Sequence, residues 1–136
     1  MAIEFVLWNH RFPLHKQAYD YLSEACKRAR LSIITPEHTI EQARKDLCLI
    51  YQVIDTNEII GCFTLCFRTT DNDYYLELPL LAGKRLMEWR DFLVEFLFKI
   101  AADNNCTKFT MIGRKGFERL FPELSLLCCV YGRNLT

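Results

Sequence analysis

Apolar positions along this chain switch between strand-like runs and helical spacing, and the switches mark its elements. Ile3 to Trp8 is an apolar, strand-like run. From Pro13 to about Arg30, Leu14, Ala18, Tyr21, Leu22, Ala25, Cys26 and Ala29 share one face, while Lys16, Asp20, Glu24 and Lys27 occupy the other. This predicts an amphipathic helix opened by proline. Thr35-Pro36-Glu37 predicts the start of a second helix, reaching about Asp46. Threonine supplies the cap, proline fits the first turn, and the carboxylate suits the positive end of the helix dipole. Cys48 to Ile54 and Glu58 to Phe67, rich in β-branched and aromatic residues, flank Asp55-Thr56-Asn57 and predict a hairpin. Thr69 to Asp73 is the next turn.

The run from Tyr74 to Ile112 is the most informative. Tyr74 to Leu81 is strand-like, Ala82-Gly83 is a break, Lys84 to Asp103 has helical spacing, and Lys108 to Ile112 is strand-like again. Leu86, Trp89, Phe92, Leu93, Phe96, Leu97 and Ile100 form a stripe wide enough to lie on a sheet. The pattern predicts a βαβ crossover. Gly113 to Phe121 then reads as a short helical turn stopped by Pro122, and Leu124 to Tyr131 as a final buried strand. No internal repeat appears, so one α/β domain over residues 1–136 is expected, a mixed sheet with helices on both faces.

Charge removes several classes of partner. Seventeen basic residues balance seventeen acidic ones, so no chain-wide field attracts nucleic acid or an acidic membrane. The greasiest segment, Phe92 to Ala102, carries Glu95 and Lys99 and predicts no membrane span, and Glu4 and Asn9 interrupt any leader-like run at the start. The seven cysteines are odd in number, sit in apolar runs and lack C-x-x-C spacing, so they read as reduced packing residues of a cytosolic protein. His10, His15 and His38 have no metal-ligand spacing, and no metal site is expected. A cysteine nucleophile stays open on composition, although apolar surroundings keep thiol pKa values high. On the long helix Phe92 and Phe96 are expected in the core, whereas Phe98, with Phe12 and Tyr19, is expected at the surface, where aromatics mark a protein interface.

Candidate chemistry concentrates at the bend before the long helix. In such units free backbone N–H groups and the helix dipole converge on phosphates there. This bend has a single glycine, Gly83, followed by Lys84 and Arg85. Cations at a helix start oppose the dipole and are favourable only beside an anion. Glu77 is the carboxylate inside the preceding strand. Its flanks Leu76 and Leu78 would raise its pKa toward that of a general base; a carboxylate that is ion-paired or faces an edge is the other reading.

The order of elements resembles the GNAT superfamily of acetyl-CoA-dependent N-acyltransferases. Three segments carry the likeness: Glu58 to Leu65 as the hairpin strand with its glycine, Leu76 to Arg85 as the fourth strand and acetyl-CoA turn, and Phe117 to Phe121 at the place of a short helix led by tyrosine. The half from Leu80 onward is also similar to small acetyltransferase-like proteins of tailed bacteriophages, including an internal virion protein. The resemblance implies an acyl-CoA N-acyltransferase fold with a mixed, mostly antiparallel central sheet. It assigns the cofactor turn to Leu78, Leu80, Leu81, Gly83, Lys84 and Arg85, and the base to Glu77. Family members write that turn Q/R-x-x-G-x-G/A, whereas this chain reads Leu80-Leu81-Ala82-Gly83-Lys84-Arg85, and Phe117 replaces the tyrosine that protonates the leaving thiolate. Tyr51 and Tyr131 are the remaining candidates for that proton. The expectation is therefore a non-catalytic phage structural or interaction protein in the host cytoplasm or virion, with phage or host proteins as partners and no cofactor. The alternative is an active N-acetyltransferase using acetyl-CoA, which requires the fourth strand to splay from its neighbour.

Overall fold

The computed structural model describes residues 2–29, 34–112, 125–127 and 130–134. In chain order the elements are β1 (Ile3–Leu7), α1 (Lys16–Arg28), α2 (Pro36–Arg44), β2 (Leu49–Asp55), β3 (Glu58–Thr69), β4 (Tyr74–Leu78), β5 (Leu81–Gly83), α3 (Leu86–Asp103), β6 (Lys108–Ile112), β7 (Ser125–Leu127) and β8 (Val130–Asn134). They build one mixed sheet in the order β1-β2-β3-β4-β6-β8-β7, with β5 also on β3. Among the described residues only β4 and β6 pair in parallel. That pair closes the predicted crossover through α3. No described helix is long and apolar enough to cross a membrane.

Local signals act as expected at α2 and the hairpin. Thr35 Oγ1 accepts the His38 N–H at 3.1 Å, with proline in the first turn. The hairpin turn is tighter than predicted: Asp55 pairs with Glu58, and only Thr56 and Asn57 turn the chain, at φ 46° and 69°. Two successive left-handed residues match the twist of the strands they join. The first helix begins three residues after Pro13, where His15 Nδ1 accepts the Gln17 N–H at 3.1 Å. The final run is two strands rather than one, β7 pairing antiparallel with β8. The predicted turn at 113–121, with Phe117, lies outside the described residues.

The strand expected over Tyr74 to Leu81 is broken, and its break shapes the site. Proline has no N–H to give a ladder, and at Pro79-Leu80 the strand stops. The Leu80 carbonyl accepts the Thr64 N–H at 3.0 Å, and β5 then resumes on the same side of β3, from Phe63↔Leu81 to Gly61↔Gly83. The predicted break at Ala82-Gly83 is thus a short strand, ending where the Lys84 N–H reaches the Ile60 carbonyl at 2.9 Å.

Period-two alternation separates two cores. On one face α3 lays Trp89, Leu93 and Leu97 against Phe63, Leu65, Leu76, Leu78 and Phe109. On the other, α1 and α2 bring Leu22, Ala25, Cys26 and Ala43 to Ile50, Cys62, Cys66 and Leu80. The aromatic assignments on α3 are corrected. Phe92 is 50% exposed, whereas Phe98 packs edge-on against Phe109, ring centroids 4.9 Å apart. The buried line runs Trp89, Leu93, Leu97, Ala101. Phe96 reaches Phe5 on β1 and Phe98 reaches Phe109 on β6, while Phe92, one turn before Phe96, stays half exposed. Phe12 is exposed as expected, while Tyr19 is half-buried and donates to Glu37.

Candidate functional site

Two neighbourhoods gather the residues singled out in the sequence. The first is the bend from β5 into α3. Gly83 turns inward there: a Cβ on it would meet the Ile60 carbonyl oxygen and Trp89 Cζ2, both at 2.8 Å. Its missing side chain therefore serves the close approach of two strands under an indole. Trp89 Nε1 donates to the Lys84 carbonyl at 2.9 Å and holds the bend down. Arg85 follows at φ 58°, ψ 34°, left-handed, as the residue before α3, and no side chain caps that helix start. A non-glycine residue in this conformation costs roughly 1–2 kcal/mol, so the surrounding structure imposes the shape. Arg85 stands at the second-glycine place of the Q/R-x-x-G-x-G/A pattern and keeps a glycine-like backbone.

The side chains at the bend neutralise one another. Lys84 Nζ binds Glu58. Arg85 Nη2 meets Asp55 Oδ2 at 3.0 Å, and its Nε lies 3.7 Å from Glu88. The Asp55 carboxylate also accepts the Ala2 N–H at 3.0 Å; that bond foremost, with Arg85 and Thr56, holds its pKa below the usual value. Two cations thus face three carboxylates. The pairs exposed on both sides, Lys84 with Glu58 and Arg85 with Glu88, are each worth only about 0–1 kcal/mol. The local sum nevertheless matters, because a carboxylate facing a phosphate at contact distance opposes it by about 1–4 kcal/mol near a protein surface.

The second neighbourhood is a row across the face carrying α1 and α2. Cys66 pairs with Glu77, and Glu77 with Thr110. Leu76 and Leu78 belong to the α3 core, so Glu77 points the opposite way, from a strand with neighbours on both sides. The edge-facing reading is thereby replaced by the ion-paired one: Arg68 Nε lies 3.5 Å from Glu77 Oε1, and the Glu77 side chain is 13% exposed. Thr110 Oγ1, beside Glu77, and Thr64 Oγ1, nearby on β3, are buried without a hydrogen-bond partner. Such hydroxyls are uncommon in native interiors. A groove of about 360 Å³ lies along this face, lined by Thr64, Cys66, Arg68, His38, Pro79 and Leu80 among others.

Glu77 and the bend are therefore separate. The β4–β6 ladder ends at Leu78↔Met111, and beyond it β5 follows β3 while β6 follows β8. The fourth strand thus departs from β6 only after Leu78. Leu78 and Leu80 are buried, and the Leu80 carbonyl is occupied by Thr64. Tyr51 stacks on Phe63 in the α3 core, on the face opposite Glu77, and burial raises its pKa. Tyr131 pairs through its backbone with Met111. Arg68, Thr64, Thr110, Asp55 and Glu58 escaped sequence reasoning, because only strand register brings them to these places.

No protein-family model matches the chain, and no curated protein matches it. Solved structures do. A probable acetyltransferase from Staphylococcus epidermidis aligns with a TM-score of 0.69 at 11% identity, covering 99% of this chain and 100% of that one. An acetyltransferase of the GNAT family from Staphylococcus aureus gives 0.63 at 14%, with 99% and 100% covered. The mutant AtaT toxin bound to the C-terminus of the antitoxin AtaR and acetyl-CoA gives 0.65 at 14%, with 98% and 94% covered. This chain has the GNAT acetyltransferase fold.

Proposed function

We propose that the chain uses the GNAT fold as a scaffold for a protein partner and performs no acyl transfer, the setting being a bacteriophage structural or virion-associated protein. The self-neutralised bend carries this reading. Lys84 and Arg85, the cations available to a diphosphate, are each engaged by a carboxylate from the β2–β3 hairpin, Glu58 and Asp55. A diphosphate would have to displace both carboxylates and then tolerate them as neighbours. The AtaT structures with AtaR support the wider idea that this fold can serve a protein partner. The phage setting rests on the likeness of the half from Leu80 onward.

The test is a calorimetric titration of acetyl-CoA into the purified chain, alongside the Asp55→Asn/Glu58→Gln double variant. The expected outcome is no heat with the native chain and measurable affinity in the variant. Saturable heat from the native chain, with a micromolar Kd for acetyl-CoA, would defeat the proposal.

A second reading, an acetyl-CoA-dependent N-acetyltransferase, is favoured by the unpartnered Thr110 hydroxyl beside Glu77. A water held there would link the amine's proton to the Glu77 carboxylate. Main-chain groups of Leu78, Leu80 and Leu81 would hold the pantetheine arm. Gly83, Lys84 and Arg85 would take the phosphates at the uncapped start of α3. On this reading Glu77→Gln removes turnover while acetyl-CoA binding persists, and an active Glu77→Gln variant would eliminate Glu77 as the base.

A further inference from the structure

We infer that Cys48 and Cys66 form a redox-modifiable dithiol in the groove beside α2, oxidised by hydroperoxides to a cross-strand disulfide. The inference stands apart from either functional reading. β2 and β3 pair from Leu49↔Leu65 downward, and one step beyond that pair the next residues are Cys48 and Cys66. Both residues are buried with free thiols, and both line the groove. Opposed residues on antiparallel strands have Cβ atoms about 4.5–5.5 Å apart, from which a small local shift reaches disulfide spacing. The other described cysteines, Cys26, Cys62 and Cys106, are also buried and free; Cys26 lies near Cys62, but from α1 and not from a paired strand.

The groups around the pair suit the chemistry. The Cys48 thiol also lies 3.6 Å from the Thr39 carbonyl of α2, Arg68 approaches from β3, and Glu77 is the register partner of Cys66 on β4. The neighbouring Cys48 thiol foremost, and then Arg68, hold the Cys66 thiol below its ordinary pKa against burial and Glu77. Arg68, two residues beyond Cys66 on the same face of β3, favours a thiolate there, while the Cys48 thiol donates to the Thr39 carbonyl; Cys66 is therefore the attacking sulfur and Cys48 keeps its proton until the second step.

The step balances. The Cys66 thiolate attacks one oxygen of hydrogen peroxide; the O–O bond breaks, hydroxide leaves, and the sulfur becomes a sulfenic acid. The Cys48 sulfur then attacks that sulfur. The S–S bond forms, the S–O bond breaks, and the departing hydroxyl leaves as water with the Cys48 proton. The two sulfurs together lose two electrons and the peroxide gains them. The product no longer donates to the Thr39 carbonyl, so the groove wall formed by α2 changes with the redox state.

The experiment treats the native, reduced chain with hydrogen peroxide and maps it by peptide mass spectrometry. The expected product joins the peptides containing Cys48 and Cys66, is lighter by about 2 Da, and reverts with dithiothreitol. In Cys48→Ala, dimedone should trap a sulfenic acid at Cys66. Phenylarsine oxide, which grips paired thiols without oxidation, should bind the native chain and lose binding in Cys48→Ala and in Cys66→Ala, but not in Cys62→Ala. Native protein whose other thiols react while no link between 48 and 66 forms would overturn the inference, as would arsenical binding that survives Cys66→Ala.

Discussion

Gly61 and Gly83 stand opposite one another across the β3–β5 ladder, both beneath the Trp89 indole. A Cβ added at Gly83 would sit 2.8 Å from the Ile60 carbonyl oxygen and 3.0 Å from the Gly61 α-carbon; one at Gly61 would sit 2.9 Å from the Ala82 carbonyl oxygen. Two of the obstacles at Gly83 are backbone, which cannot rotate aside. Gly83→Ala should therefore destabilise the fold by about 1–3 kcal/mol, the usual cost of overpacking. Urea unfolding checks it, and an unchanged midpoint would show that β5 is not pressed on β3.

Acid should weaken the bend through Asp55. Its folded pKa lies below the ordinary value, chiefly through the Ala2 N–H, then Arg85. A carboxyl depressed on folding stabilises the native state above its unfolded pKa of about 3.9 and loses that contribution as pH falls through the folded value. The native chain should thus lose more melting temperature than Asp55→Asn over this acid range. Parallel acid limbs for the two proteins would refute the assignment.

The two phenylalanines on α3 should respond in opposite ways. Phe92→Ser removes a half-exposed ring and should alter stability by no more than about 0.5 kcal/mol. Phe98→Ser strips a ring from Phe109 and should cost about 2–4 kcal/mol. Thermal melts of both variants decide the matter, and equal losses would contradict the orientation of the helix.

Thr64 offers a prediction of the reverse sign. Its buried hydroxyl has no partner, and valine has nearly the same shape. Removing an unsatisfied polar group should make Thr64→Val equal to the native chain or up to about 1 kcal/mol more stable. A clear loss would mean that an ordered water or ligand uses that hydroxyl.

Much of this arrangement was readable from local chemistry. Thr35 and Pro36 announce α2, the β-branched runs announce the hairpin, and the strand–helix–strand spacing after Tyr74 yields the crossover as found. What escaped prediction depends on partners distant in sequence. Pro79 was a visible signal for the end of β4, but nothing local says that Leu81–Gly83 would return to β3. The neighbours of Glu77, Cys66 on one side and Thr110 on the other, follow from register, which no single strand encodes. Likewise the stripe on α3 fixed which residues were apolar, while the lie of the helix across the sheet decided that Phe98 and not Phe92 would find a partner.

The left-handed backbone at Arg85 has a practical corollary. Because the route out of the sheet dictates that curvature, the loop's contour is independent of the amino acid occupying its apex. Anyone wishing to install nucleotide recognition on this scaffold would need to exchange only a few protruding groups, with no remodelling of the main chain beneath them.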